Sequence, residues 1–163
     1  MIFVTVGTHD QQFNRLVKCV DELKGKGIIE DELIIQNGYS DYKILNCEHR
    51  QFYSFSEIME LYEKARIIVT HGGPSSFIQA LQIGKIPIVV PRQKKYGEHV
   101  NCHQLEFGRA VSERYNNIIL IEDTDDLKDA ILNYDERAAS KKLSNFGNTA
   151  GFNEKFEKIV EEL

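Results

Sequence analysis

Apolar positions along this chain follow two alternating rhythms. Short runs at Ile2-Phe3-Val4-Thr5-Val6, Ile67-Ile68-Val69 and Ile88-Val89-Val90 have the β-branched make-up of strands buried on both faces of a parallel sheet. Between them, apolar residues return at helical spacing: Phe13, Leu16, Val17, Val20 and Leu23; Ile58, Leu61, Tyr62 and Ala65; Phe77, Ile78, Ala80 and Leu81; Leu127, Ala130 and Ile131. Each set makes one apolar stripe on a helix. Further strands are predicted at 32–36, 51–55 and 118–121, with a short extended piece at 42–45. Helix starts are expected at Thr8, which has capping-box spacing to Gln11, at Ser56 as a cap, at Pro74, near Glu98 and at Thr124. Residues 135–151 are polar and read as a linker. Phe152, Phe156, Ile159, Val160 and Leu163 then predict a terminal amphipathic helix over 152–163. The alternation implies a single α/β domain over residues 1–163, a Rossmann-like doubly wound parallel sheet.

The richest stretch is 66–92. Its strand ends in His71-Gly72-Gly73-Pro74-Ser75-Ser76, where two glycines let the main chain come close to a ligand. Pro74 suits the first helical position, because its missing N–H would have had no helical partner. The free N–H groups around Ser75 and Ser76 would then face the mouth of the sheet with the positive end of the helix dipole. An anion belongs there, above all a phosphate or diphosphate. Taken alone, the Gly-Gly-Pro turn reads equally well as a tight connection. The two serines, His71 and the basic loop at Arg92, Lys94 and Lys95 favour a nucleotide site.

A length of 163 residues fits one domain, which buries around 70% of the surface its unfolded chain exposes. The net charge of −5, with only one local basic cluster, argues against a nucleic-acid partner. Cys19, Cys47 and Cys102 are widely spaced with no CxxC, which indicates neither a disulfide framework nor a zinc ribbon and fits a reducing compartment. Nowhere do about 18 apolar residues follow one another, so a cytoplasmic protein is expected.

Several motifs change the picture by failing. The first loop, Gly7-Thr8-His9-Asp10-Gln11, lacks GxGxxG, which weakens a dinucleotide reading. GxSxG is absent, and Gly84-Lys85 lacks the glycine-rich turn of a P-loop. His99 and His103 stand four residues apart, but Val100 occupies the place of the zincin glutamate. With no third ligand, the segment 97–104 reads as the lining of a ligand cleft, or as a polar helix face. Asp123-Thr124-Asp125 matches a metal-holding carboxylate pair by spacing, yet it sits where a helix cap is expected. No bound metal or other cofactor is expected.

With these residues in view, the chain resembles the carboxyl-terminal, donor-binding half of GT-B glycosyltransferases of the MurG type. It is similar above all to the stand-alone PssE-like subunits of capsule and exopolysaccharide synthesis. The matches run in order: Val6-Gly7-Thr8-His9, His71-Gly72-Gly73-Pro74-Ser75-Ser76, Gly84-Lys85, Pro87 to Arg92 and Gly97-Glu98-His99. The resemblance implies a single GT-B lobe with a UDP-sugar donor as substrate. Its diphosphate would lie near Gly7, Thr8, His71, Gly72, Gly73, Ser75, Ser76 and Arg92, and its uridine near Ser54, Phe55 and Gln79. Gln79 stands where the family usually carries an acidic residue on the ribose. Glu98, His99 and Asn101 would contact the sugar, and His9 and His99 are the candidate bases.

The resemblance further implies inversion at the anomeric carbon without a metal. The expected activity is that of a hexosyltransferase, a β-galactosyltransferase by family inference, acting on a lipid-linked sugar in capsule or exopolysaccharide synthesis. A membrane-anchored, acceptor-binding partner subunit would hold the chain at the inner face of the membrane, and homo-oligomers are compatible with this reading. Two rivals stand beside it: a non-catalytic nucleotide-sugar-binding subunit that activates a partner transferase, and a nucleotide-sugar epimerase, whose two-lobed fold exceeds this chain.

Overall fold

The computed structural model describes residues 1–143. Six parallel strands form one sheet: β1 (Ile2–Thr5), β2 (Leu33–Gln36), β3 (Glu48–Arg50), β4 (Ile67–His71), β5 (Ile88–Val90) and β6 (Ile119–Leu120), in the spatial order β3-β2-β1-β4-β5-β6. The chain runs from β1 outward to β3, then returns to the other side of β1. The direction of travel therefore reverses between β1 and β4, which leaves a crevice beyond the carboxyl ends of those two strands. This is the expected doubly wound α/β fold.

The unbroken apolar runs are explained by helices on both faces. In register, Val4 lies between Ile35 and Val69, and Ile2 between Leu33 and Ile67; these side chains face α1 (Asn14–Gly25) in the larger core. The alternate row, Phe3 between Ile34 and Ile68, packs with Tyr62 and Ala65 at the end of α2 (Phe55–Lys64) and with Ala80 of α3 (Pro74–Gln82). The remaining helices are α4 (His103–Tyr115), α5 (Leu127–Leu132) and α6 (Tyr134–Ala139).

Several boundaries differ from the sequence reading. Helix α1 begins at Asn14, not Thr8. The Gln11 and Gln12 carbonyls accept from the Arg92 guanidinium at 2.8 and 3.0 Å, and the Phe13 N–H donates to Ser40 Oγ at 3.0 Å, so this stretch is held as a loop. Ser54, not Ser56, caps α2, in a reciprocal capping box with Glu57. The strand expected at 51–55 is β3, earlier in the chain. Residues 42–45 form no strand, because the Asp21 carboxylate accepts the N–H groups of Leu45 and Asn46 and draws that segment onto α1. Helix α4 begins at His103 rather than near Glu98: Gly97 is left-handed at φ 68°, and Asn101 Oδ1 accepts the His103 N–H at 3.1 Å. The expected linker begins inside a helix: residues 135–139 lie in α6, and residues 144–151 lie outside the described residues. The terminal stripe Phe152, Phe156, Ile159, Val160 and Leu163 lies outside the described residues.

Candidate functional site

The crevice at the reversal point is built by two loops that touch. β1 leads into Gly7, and β4 ends at His71, whose ring is buried between the two glycine turns. A Cβ at Gly7 would stand 2.5 Å from His71 Cε1, and one at Gly73 would stand 2.3 Å from His71 Nε2. Gly7 also needs its freedom for a left-handed φ of 74°, whereas Gly73, at an ordinary φ of −70°, needs only the space. Burial, seconded by the charge of Arg92, pushes the His71 imidazole down to about 3, so it is neutral beneath the turn. Pro74 takes the first position of α3 as expected. The Ser75 and Ser76 amides open that helix, and only the second is used locally, donating to the Gly73 carbonyl at 3.2 Å. Ser75 and Thr8 are exposed on the rim.

Three residues assigned to ligand contacts are engaged with other groups of the protein. Arg92 is fully buried, and its guanidinium donates to four carbonyls, those of Val6, Gln11, Gln12 and Glu98. It lies under the crevice, ties the β1–α1 loop to the loop after β5, and stacks over the Phe13 ring at 4.9 Å. Desolvation pulls its pKa down to about 10, with Glu98 and Asp10 opposing, so it remains a cation. Glu98 is likewise buried. Its carboxylate accepts from Arg15 Nε and Nη2 at 2.9 and 3.0 Å and from the Gln93 N–H at 3.0 Å. Asn101 uses its amide on the start of α4, where its side chain meets both the N–H and the ring of His103.

The two candidate bases do meet. The His9 and His99 rings stand 4.8 Å apart at 40°. Burial first, then His9, holds the His99 imidazole below its ordinary value, and the His9 ring accepts the Gln11 N–H through Nδ1. Ser54 has its hydroxyl and amide engaged with Glu57, while the Phe55 ring is 71% exposed. Gln79 sits half-buried on α3. Asp123, at the pair weighed as a metal site, accepts the Asp125 N–H and caps a short 3-10 turn at Thr124–Asp126.

One residue escaped the sequence reading. Gln104, in the first turn of α4, extends Oε1 to accept both the Gly72 and the Arg92 N–H groups at 3.1 Å. It locks the glycine turn to the end of β5, with its own Cβ 3.0 Å from where a Gly72 side chain would begin. A lone glutamine in a helix carries no motif, and only its place at the end of the segment 97–104, read as cleft lining, hinted at a role. Around it opens a cleft of about 450 Å³, walled by Gly72, Gly73, His99, His103, Glu106 and Phe107.

Comparison with known proteins agrees with this fold. Residues 1–163 match the family model described as the glycosyltransferase family 28 C-terminal domain. Among solved structures, a glycotransferase of kitacinnamycin aligns with TM-score 0.56 and 18% identity over 85% of this chain and 37% of that one. The glycosyltransferase SnogD from Streptomyces nogalater aligns with TM-score 0.52 and 18% identity over 86% of this chain and 39% of that one. These likenesses are of fold, and the chain spans less than two fifths of either structure's length. No curated protein matches it.

Proposed function

The chain belongs to the glycosyltransferase family 28 C-terminal domains, and on that premise we propose that it is the donor-binding lobe of a UDP-sugar-dependent inverting hexosyltransferase. The supporting observation is the contact of both glycine turns with His71 at the reversal point of the sheet, beside the open N-terminus of α3. Leaving UDP carries its charge on the diphosphate. The amides at Ser75 and Ser76, the Gly72-Gly73 turn and Thr8 are the groups we assign to it, with no metal. Arg92 acts from below: it shapes both loops and adds its field without touching the ligand. Phe55 offers an exposed ring for the uracil and Gln79 an amide for the ribose. His9 or His99 serves as general base, unless that group lies on the acceptor-binding lobe.

The finer assignment follows the resemblance set out above. We place the chain among MurG-type, PssE-like subunits that transfer a hexose, galactose in the first instance, to a lipid-linked acceptor in capsule or exopolysaccharide synthesis. The acceptor-binding lobe then comes from a membrane-anchored partner. Among the described residues no helix is long and apolar enough to cross a membrane.

The test is calorimetric titration of UDP into wild type and Gly73→Val. A valine Cβ would enter the space of His71 Nε2, 2.3 Å away, so the turn must move. We expect UDP binding to fall by tenfold or more, since misplacing the charge-assisted hydrogen bonds of the turn costs about 1.5–3 kcal/mol. Unchanged affinity in a folded variant would remove the diphosphate from this turn.

A further inference from the structure

Four of the chain's five histidines gather at the crevice. His71 lies buried between the glycine turns, His99 and His103 line the cleft with Gly72 and Gly73, and the His9 and His99 rings meet at 4.8 Å. Arg92 adds a buried cation beneath them. Imidazoles are the side chains that change charge around neutral pH, and one general base accounts for only one of the four.

Local geometry sorts them. His71 is sealed under the turns and kept neutral by its burial. His103 serves the start of α4, where the Asn101 side chain meets both its ring and its N–H. His99 Nδ1 accepts the Asn101 N–H at 3.4 Å, and burial first, then His9, keeps a proton off that ring. His9 alone of the four has a carboxylate within ion-pair distance among the described residues. Its Nδ1 accepts the Gln11 N–H at 3.2 Å and stands 3.1 Å from Asp10 Oδ1. The first partner needs that nitrogen bare, and the second needs a proton on it. A proton taken up there exchanges one partner for the other, so the charged ring is paired at once.

Resting on the proposed donor site, we infer that binding of UDP loads one proton onto His9, held between the Asp10 carboxylate and the terminal phosphate of UDP. His99, stacked against His9, keeps the pair to a single proton, because two charges at that spacing repel. The other ionisable groups around the pair are Arg92 and His71 beneath it, and His103 and Glu106 on α4. Glu98, on the loop of His99, is neutralised by Arg15. A UDP-hexose has its outer phosphate esterified and carries less charge, so it draws the proton less strongly. The sign follows: a complex that holds an extra proton is favoured by acid, so UDP binds more tightly as the pH falls and leaves more readily as it rises.

The experiment is calorimetric titration of UDP and UDP-galactose into wild type, His9→Gln and Asp10→Asn at pH 6.5, 7.2 and 8.0, in buffers of different ionisation enthalpy. The imidazole Cε1–H signals are followed by NMR. The terminal phosphate of UDP titrates near pH 6 by itself, equally for every protein, so His9→Gln is the reference. Wild type should take up about one half to one proton more per UDP than His9→Gln does, and its affinity relative to that variant should rise about three- to tenfold from pH 8.0 to 6.5. Asp10→Asn and UDP-galactose should each give a smaller uptake, and the His9 signal should move to its charged position when UDP is added at pH 7.2. The inference is overturned if wild type takes up no more protons than His9→Gln, if the His9 signal stays neutral, or if Asp10→Asn or UDP-galactose matches wild type with UDP. Each of those results leaves the nucleotide site standing. UDP that binds none of the three proteins at any pH overturns the donor-site reading, and this inference with it.

Discussion

Replacing Gln104 separates the architecture of the site from its chemistry. In Gln104→Leu the shape is nearly kept, but Oε1 is gone, and the Gly72 and Arg92 N–H groups, each held at 3.1 Å, lose their acceptor. Each orphaned donor costs about 1–3 kcal/mol; partial access to water at this half-buried position favours the lower end, so we expect a loss of about 2–3 kcal/mol. For a chain of this length 1 kcal/mol moves the melting temperature by roughly 2–4 °C, which predicts a drop of about 4–12 °C by calorimetry or circular dichroism. UDP affinity should fall as well, because the Gly72-Gly73 turn is no longer tied to β5. Gln104→Glu supplies the complementary arm. A carboxylate still accepts from both amides, so the melt should stay within about 2 °C of wild type, the shift of well under 1 kcal/mol. Its charge now stands beside the proposed diphosphate, and UDP binding should weaken at low salt and partly recover as salt screens the repulsion. A Gln104→Leu protein that melts like wild type, together with a Gln104→Glu protein that binds UDP like wild type, would refute both halves of the reasoning.

Other groups give sharper single readouts. Lys85 Nζ donates to the carbonyls of Tyr62, Glu63 and Ala65 at 2.6–2.7 Å, closing the C-terminus of α2; Lys85→Met should lower urea-unfolding stability by about 1.5–3 kcal/mol, and a loss below 0.5 kcal/mol would count against a capping role. The His71 pKa is about 3 when folded and about 6.5 unfolded, so between those values the unfolded chain binds the extra proton. Stability should therefore be complete above pH 6.5 and fall by up to about 1.4 kcal/mol per pH unit on acidification; a His71→Gln protein whose stability falls as steeply over that window would contradict this. If His99 is the base, it must be neutral, and its lowered pKa moves the acid limb of the transfer rate to lower pH than an ordinary imidazole would give. An acid limb centred above pH 7 that persists in His99→Gln would assign the base to another group.

What the sequence disclosed depended on whether the deciding interaction was local. The strands were legible because burial on both faces leaves an unbroken run such as Ile67-Ile68-Val69. The start of α3 was legible because Pro74 signals it alone. The start of α2 was written in Ser54-x-x-Glu57, a reciprocal cap overshadowed by the neighbouring Ser56. The starts of α1 and α4 were hidden, because partners far along the chain decide them. Arg92 reaches back 81 residues to hold Gln11 out of a helix, and Arg15 grips Glu98 across 83 residues. That the loop after β1 and the glycine turn after β4 open at the same edge of the sheet was legible, because each follows a parallel strand; that His71 is buried between them was not. The roles of Arg92, Glu98 and Gln104 could not be read, because a buried guanidinium and a ligand-binding one look alike in a sequence.

That difference bears on how the proposed site works. Arg92, Arg15, Glu98 and Gln104 join the β1–α1 loop, the glycine turn and the loop after β5 beneath the crevice, the first three through charges whose separation would be costly and Gln104 through two hydrogen bonds. The floor is therefore fixed before any ligand arrives, and binding there need not be paid for in ordering of the main chain. Thr8, Ser75, His103 and Glu106, by contrast, stand exposed on the rim, where the reacting end of a donor would project from the rigid floor into open solvent. Excluding water from that end is a task none of these rim groups performs, since each is polar and solvated. A lobe closing over the rim would exclude it, and would also bring the acceptor to the face on which the His9 and His99 rings lie together. On the proposed reading, a rigid floor under an open rim would suit one half of a two-lobed transferase, the other half of which would close the rim and carry the acceptor.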